Sequence, residues 1–306
     1  MLLARCKEIL LSCKSPPPSL ELLISVPSKS LMHGETLNLE VSRTMFEIVN
    51  IMRIRIAKLP SIHLAYRSEG QGDPPIMMLH GFGATSLVWK EQFGVVSKRH
   101  RLVAPDLRGW GYSDKPSGSH YAIQDHVGDI HSLAEHLGFQ KFVLMGSSMG
   151  GSIALQYCLT YPDLVSALVL VGARPRARPD LRELISRARN GGHRDIVLDT
   201  VHHSLAGDSE AKTQQLARSA LRVSQDAVVY GLEDFQGFDV TKDLHKIAVP
   251  TLIIFGERDA IMGLNEGELI LRRIKGSLFR VVPSSGHLPM WESPKYFNRL
   301  LQEFLE

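Results

Sequence analysis

A glycine-rich stretch near the middle of the chain, "LMGSSMGGSI" at residues 144–153, contains residue types whose spacing can do chemistry. Gly146, Ser148 and Gly150 fit the pattern G-x-S-x-G, with an apolar run before it and a helical pattern after it. A serine on such a tight turn has strained backbone angles, and side chains two residues to either side would collide. Ser148, and not Ser147, is therefore the candidate nucleophile. A glycine-rich helix start packed closely on a sheet would show the same pattern. Whether Ser148 is a nucleophile therefore depends on whether the chain also supplies a base and a carboxylate for it.

A serine hydroxyl is a weak nucleophile and needs a base within hydrogen-bond reach, which a carboxylate in turn orients. The segment "TLIIFGERDAI" places Asp259 just after an apolar run, and "FRVVPSSGHLPMWE" places His287 in a loop after the last predicted strand. The chain order Ser, Asp, His is one that serine nucleophiles on a strand-to-helix turn use. We therefore predict that Ser148, Asp259 and His287 form a catalytic triad.

Two backbone N–H groups are candidates for an oxyanion hole. In "IMMLHGFGA", Gly81 and Gly83 allow the chain to fold so that the N–H of Phe82 faces the site. The N–H of Met149 lies at the predicted helix start, where the helix dipole strengthens it as a donor. Because paired donors of this kind stabilise a developing oxyanion, we predict that Phe82 and Met149 supply it through their backbone.

Eight predicted strands must position these residues. The first two alternate in polarity around "LP" and predict an antiparallel hairpin, whereas "IMML", "FVLM", "ALVLV" and "TLIIF" are apolar on both faces, which is typical of a covered parallel sheet. Helical stripes between them predict right-handed crossovers and a mostly parallel α/β sheet with helices on both faces. The clearest stripe lies over residues 123–137, where Asp129 is among the polar residues that fall off the apolar face. Ligands of such sheets bind at the carboxyl ends of strands. The predicted strands are residues 52–58, 61–67, 76–79, 101–104, 141–145, 167–171, 251–255 and 278–282.

Two segments stand outside this alternation. Residues 174–246 are helical and rich in arginine, with no strand candidate, which predicts a helical cap over the site. Arg174, Arg176 and Arg178 are expected to face solvent, with attraction of an acidic substrate as the alternative. Residues 1–51 read as a mobile extension; organellar targeting by it stays open, and a secretory signal is not indicated. One domain is therefore predicted over residues 52–306.

Composition narrows the class of protein. The chain has 306 residues, of which 44% are hydrophobic and 22% charged, as in soluble globular proteins, and its formal charge of +3 does not indicate nucleic acid as a partner. The 3 cysteines are too few for a disulfide framework and predict a reducing compartment, the cytoplasm. No apolar run approaches the roughly 18 residues that a membrane span needs. The oligomeric state is not predictable from these data.

Other motifs do not support a cofactor or a metal. "HGFGATS" begins like a dinucleotide fingerprint, but Ser86 stands in place of the third glycine. His193, His202 and His203 lack a recognised ligand spacing and are expected on a solvated face. Neither a cofactor nor a metal ion is therefore expected.

Five motifs in this order, "LHGFGATSLVW", "VAPDLRGWGYSDKP", "GSSMGG", "FGERDAI" and "SSGHLPMWESP", make residues 52–306 resemble the α/β-hydrolase superfamily, specifically its single-domain esterase-like branch. The resemblance implies an eight-stranded α/β-hydrolase fold with a helical cap, and assigns the triad to the same three residues. It also implies that Asp106, Arg108 and Gly109 form a structural turn near the site.

The function implied is hydrolysis of a small or medium carboxylic ester through an acyl-enzyme. Similar enzymes cleave lactones, peptides with a free amino terminus, or the C–C bond of vinylogous diketones. Thr85 after "GFGA" and Leu288 after His287 depart from what we expect of the C–C hydrolases. Dehalogenases and epoxide hydrolases need an aspartate where this chain has Ser148. A ligand receptor on the same scaffold is the non-enzyme alternative.

Overall fold

The structure is a computed structural model, and it describes residues 53–178, 181–207 and 210–306. The predicted extension, residues 1–51, lies outside the described residues, so that prediction stays as it was.

A single eight-stranded sheet forms the centre of the described chain, in the order β1-β2-β4-β3-β5-β6-β7-β8. All eight predicted strands are found, two of them with the predicted bounds, while the first begins at Arg55 instead of residue 52. The strands are β1 (Arg55–Lys58), β2 (His63–Glu69), β3 (Ile76–Leu79), β4 (Leu102–Pro105), β5 (Phe142–Ser147), β6 (Val165–Val171), β7 (Thr251–Gly256) and β8 (Leu278–Val282).

The sheet is mostly parallel, as predicted. Only β2 runs against its neighbours, pairing antiparallel with β1 and with β4, and the pairs from β4 through β3, β5, β6 and β7 to β8 are parallel. Every residue of β3, β5 and β7 is buried, which is why their sequences are apolar without alternation. In register, Leu144 of β5 lies between Met77 of β3 and Leu168 of β6. This alignment brings the carboxyl ends of the central strands to one edge.

Helices cover the sheet and extend over that edge. They are α1 (Ile123–His136), α2 (Met149–Thr160), α3 (Leu181–Arg187), α4 (His193–His203), α5 (Glu210–Ala220), α6 (Gln225–Phe235), α7 (Leu264–Arg273), α8 (Pro289–Glu292) and α9 (Pro294–Leu305). A kink within Ala188–Gly192 joins α3 to α4, and Gly191 takes a φ of 89° there. In the described part of the chain, no helix is both long and apolar enough to cross a bilayer.

The predicted apolar stripe of α1 is buried at four positions, Ile123, Val127, Ile130 and Ala134. The expectation that Asp129 lies off the buried face is wrong, because it is only 2% exposed. Its charge is tolerated there since it is paired, as described below.

We call α3 to α6 the cap helices. They occupy the connection between β6 and β7, and in the described residues of this connection the only strand-like pairing is an isolated bridge between Arg176 and Asp239. The predicted helical character of the region is therefore found.

Candidate active site

Ser148 lies on the turn between β5 and α2, with a φ of 54° and a ψ of −119°. A positive φ is uncommon outside glycine and costs free energy, so it persists only where both flanking elements hold the turn. The N–H of Ser148 donates to the carbonyl oxygen of Val171 on β6 at 2.9 Å. The strained serine predicted from the glycine pattern is thus present, half-buried at the strand edge.

The glycines around Ser148 are required by close backbone contacts. A Cβ at Gly146 would lie 2.2 Å from the carbonyl oxygen of Gly150, and one at Gly150 would lie 2.4 Å from that of Leu79. At Gly151 it would meet Ala173 Cβ at 2.4 Å, in the packing of α2 on the sheet. Both roles of these glycines, space for the turn and helix packing, are therefore visible in the geometry.

Asp259 and His287 form a buried pair beyond the ends of β7 and β8. Nδ1 of His287 lies 2.8 Å from Oδ2 of Asp259, with side chains 4% and 0% exposed. Oδ1 of Asp259 accepts hydrogen bonds from the N–H groups of Ile261 (2.9 Å) and Met262 (2.8 Å). Burial alone would raise the pKa of Asp259, but the hydrogen bond and charge of His287, helped by these two amides, hold it below its usual value. The carboxylate therefore stays ionised and orients Nδ1 as a donor.

Ser148 and His287 line the same cavity, which has a volume of about 10 Å³. They are not hydrogen-bonded to each other: Nε2 of His287 is buried and has no hydrogen-bond partner within the described residues. Hydrogen bonds of this kind are often long in unliganded enzymes and tighten with substrate. The structure thus brings the three predicted residues to one place, with the Asp–His contact made and the Ser–His contact open.

The predicted oxyanion donors lie beside Ser148. Within the described residues, the N–H groups of Phe82 and Met149 donate to no other protein group. A Cβ at Gly81 would lie 2.8 Å from Ser148 Cβ, which shows how closely this loop approaches. The ring of Phe82 packs edge-on against Trp110, with ring centroids 5.1 Å apart. Two free donors therefore border the serine.

His80 holds the Phe82 loop, and the sequence argument missed it. Its Nδ1 lies 2.8 Å from the carbonyl oxygen of Gly81, and its Nε2 accepts from the N–H of Leu107 at 2.9 Å. Burial lowers the pKa of His80, so the ring is neutral and can donate at one nitrogen and accept at the other. The only signal in the sequence was its place between an apolar run and Gly81.

The turn at Asp106 and Arg108 packs beside the Phe82 loop and is hydrogen-bonded to Ser86, which follows that loop. Asp106 accepts from the N–H groups of Ser86 (2.8 Å) and Tyr112 (3.0 Å) through different oxygens. Arg108 binds Asp129 through two hydrogen bonds of 2.7 and 2.6 Å. Gly109 has a φ of 83° at this turn. None of these side chains lines the cavity, in keeping with the structural turn that the resemblance implied.

The walls of the cavity are apolar. Phe82 and Ala84 come from the loop after β3, Val201 and Leu216 from the cap helices, and Leu288 from the loop that carries His287. Ser204 also lines the cavity, but its hydroxyl donates to the carbonyl oxygen of Thr200 at 2.6 Å. In the described part of the chain, His287 is the only ionisable side chain in this lining.

The arginines of residues 174–178 do not take part in this lining. Arg176 is exposed and lies 3.4 Å from Glu266, while Arg174 and Arg178 are half-buried rather than solvent-facing. The alternative that they attract an acidic substrate therefore gains no support from the cavity. Among the described residues, no three histidine, cysteine or acidic side chains are placed to share a metal ion.

Comparisons with known proteins identify the family. A family model described as alpha/beta hydrolase fold matches residues 74–294. This chain belongs to the α/β-hydrolase family. Among solved structures, this α/β-hydrolase is similar to a thermophilic esterase from Thermogutta terrifontis, with 28% identity, a TM-score of 0.75, and 83% of this chain and 98% of that chain covered.

Two curated relatives are named for different substrates. A monoacylglycerol lipase of Xenopus laevis is 25% identical over 281 residues, covering 83% of this chain and 82% of the relative. A 2-hydroxy-6-oxononadienedioate/2-hydroxy-6-oxononatrienedioate hydrolase of Klebsiella pneumoniae is 28% identical over 256 residues, covering 77% and 88%. These similarities support hydrolase activity for this α/β-hydrolase.

Proposed function

We propose that this α/β-hydrolase is a serine esterase that cleaves small or medium carboxylic esters with Ser148, His287 and Asp259. One observation carries the proposal: His287, which is paired with the buried Asp259, borders the same cavity as the strained Ser148. A receptor that only binds its ligand has no need of a base, an orienting carboxylate and a strained serine in one place.

The reaction follows from the positions of the atoms. Nε2 of His287, which has no other partner among the described residues, accepts the proton of Ser148 as its Oγ attacks the ester carbonyl. The N–H groups of Phe82 and Met149 hold the oxyanion. His287 then gives the proton to the departing alkoxide, which leaves as the alcohol. The acyl group stays bonded to Oγ of Ser148, and this is the acyl-enzyme.

Deacylation repeats these steps with water. His287 takes a proton from water, the hydroxide attacks the acyl carbonyl, and Oγ of Ser148 regains its proton as the carboxylic acid departs. Throughout, Asp259 holds the imidazole in one tautomer and stabilises its cation. No step calls for a metal ion or an organic cofactor.

The lining favours a neutral acyl group over a charged one. A dioate substrate, such as that named for the Klebsiella relative, carries two carboxylates, and each would need a cation or several donors when buried. The described lining contains apolar side chains and no lysine or arginine. We therefore place neutral esters first. A lactone, which is an internal ester, is the second candidate.

Labelling with a fluorophosphonate probe tests the nucleophile. We expect covalent labelling of the wild type, none of Ser148→Ala, and loss of labelling in His287→Ala. Ser147→Ala is the matched control, because Ser147 is the adjacent serine, fully buried, with an Oγ that has no partner among the described residues. It should label as the wild type does.

A panel of neutral esters, carboxylate-bearing esters, a lactone and a vinylogous diketone then ranks the bonds by kcat/KM. Ser148→Ala should lower kcat/KM for the best substrate by at least about 10⁴-fold. Labelling of the folded Ser148→Ala protein, or no labelling of the folded wild type, would overturn the proposal.

A further inference from the structure

Glu292 is an acidic residue at the end of α8, and the proposed reaction does not use it. Its Oε1 accepts from the N–H of Ala206 at 2.7 Å, and its Oε2 accepts from the N–H of Gly286 at 2.8 Å. Ala206 follows cap helix α4, whereas Gly286 directly precedes His287. One carboxylate therefore joins the cap to the loop that carries the proposed base.

The two segments also touch through their backbones. The N–H of His287 donates to the carbonyl oxygen of Ser204 at 2.8 Å. A Cβ at Gly286 would lie 2.7 Å from the nitrogen of Ala206 and 2.8 Å from the oxygen of Ser204, so only glycine fits. We call residues 204–207 the cap hinge segment and residues 284–288 the histidine loop. Neither can shift by much without the other.

The charge of Glu292 suits this link. A carboxylate only accepts hydrogen bonds, so it can hold two N–H groups at once. Burial raises the pKa of Glu292, and the amides of Ala206 and Gly286 act against that rise. The carboxylate is therefore partly desolvated and held by backbone donors, an arrangement that costs free energy wherever a donor is lost.

We propose that Glu292 is a positioning residue that fastens the histidine loop to the cap hinge segment, so that the place of the cap sets the place of His287. This inference rests on the proposed function, which makes His287 the base. The cavity has only about 10 Å³, and Val201 of α4 lines it, so the cap must move to admit a substrate. Through Glu292 that movement also shifts the imidazole of His287. The hydrogen bond between Ser148 and His287, which is not formed in this structure, is therefore made as the substrate enters.

The variant Glu292→Gln tests the link, because it keeps the size of the side chain but leaves a single acceptor oxygen. We expect kcat to fall by about 10- to 100-fold, since a small displacement of a catalytic group is enough for such a loss. KM should stay within about threefold, because the variant keeps every side chain that lines the cavity. If this variant does not fold, Glu292→Asp carries the same expectation, since a chain one methylene shorter cannot reach both amides.

Glu257→Gln is the matched control. Glu257 accepts from the N–H of Ser284 at 2.9 Å, so it too holds the histidine loop by a carboxylate. It is exposed, and among the described residues it has no hydrogen bond to the cap hinge segment. Its kcat should stay within about twofold of the wild type. An equal loss of kcat in both variants would show a general loosening of the loop and would overturn the proposal.

Hydrogen exchange measured by mass spectrometry gives a readout that does not depend on turnover. In Glu292→Gln the cap hinge segment and the histidine loop should exchange faster together, while α2 keeps its protection. Faster exchange in only one of the two, or an unchanged kcat in the folded variant, would refute the link. Failure of the proposed function looks different: the wild type would then lack esterase activity while the paired exchange change persists.

Discussion

His126 is a buried histidine on α1 whose neutral form the fold requires, and it should make the stability of this protein depend on pH. It is 3% exposed, and its Nδ1 has no hydrogen-bond partner among the described residues. Burial, together with the nearby charge of Arg108, lowers the pKa of His126 to about 3 from its ordinary 6.5. In the unfolded chain the same imidazole takes up a proton near the ordinary value.

The sign of the effect follows from proton binding. Between pH 6.5 and about 3, the unfolded chain carries a proton on His126 and the folded chain does not, so stability falls as the pH falls. With those two pKa values, the loss between about pH 8 and pH 5 is about 2 kcal/mol for this residue alone. That is a large part of the 5–15 kcal/mol typical of a folded domain.

Urea unfolding at both pH values measures the effect. We compare the wild type with His126→Leu and His126→Gln, neither of which can titrate at this position. Other titrating groups contribute to all three proteins and cancel in the comparison. The change in the free energy of unfolding between the two pH values should be smaller in both variants by about 2 kcal/mol. The same pH dependence in all three proteins would refute the reasoning, whatever their absolute stabilities.

Two further predictions concern the site and its glycines. Asp259→Asn presents an amide N–H₂ to Nδ1 of His287 and favours the wrong tautomer, so kcat for an ester should fall by about 10⁴-fold with the fold intact by circular dichroism; a loss below about tenfold would contradict this. Gly150→Ala puts a Cβ 2.4 Å from the backbone oxygen of Leu79 and should lower the free energy of unfolding by about 3 kcal/mol or more. Gly128→Ala on α1 has nothing within 4 Å of its Cβ, so in the same thermal assay it should raise that free energy by about 0.5–1 kcal/mol. Equal effects of the two alanines would show that the contact at Gly150 is not limiting.

The strands and the residues beside them were predictable because both depend on chain neighbours. Runs such as "IMML" and "TLIIF" are apolar at every position because those strands are covered on both faces. Ser148 was distinguished from Ser147 by its flanking glycines, and close backbone contacts at Gly146 and Gly150 supply the reason.

Other features escaped the sequence argument because they depend on pairs that are distant along the chain. Asp129 is polar and was expected off the buried face of α1, yet it pairs with Arg108, 21 residues away. The role of His80 depends on the N–H of Leu107, 27 residues away, which donates to its ring. Through this hydrogen bond the neutral ring supports the Phe82 loop.

The amino-acid sequence alone predicted a mostly parallel α/β sheet, a turn that strains Ser148, and an aspartate and a histidine after the last two strands. Local sterics and apolar runs act between near neighbours, so they are readable without coordinates. Only the tertiary structure showed that Asp259 is hydrogen-bonded to His287 while Ser148 is not, and that the cavity lining is mostly apolar. It also brought Glu292 to Ala206, 86 residues away, because the packing of the cap on the histidine loop is set by long-range burial that no local pattern encodes.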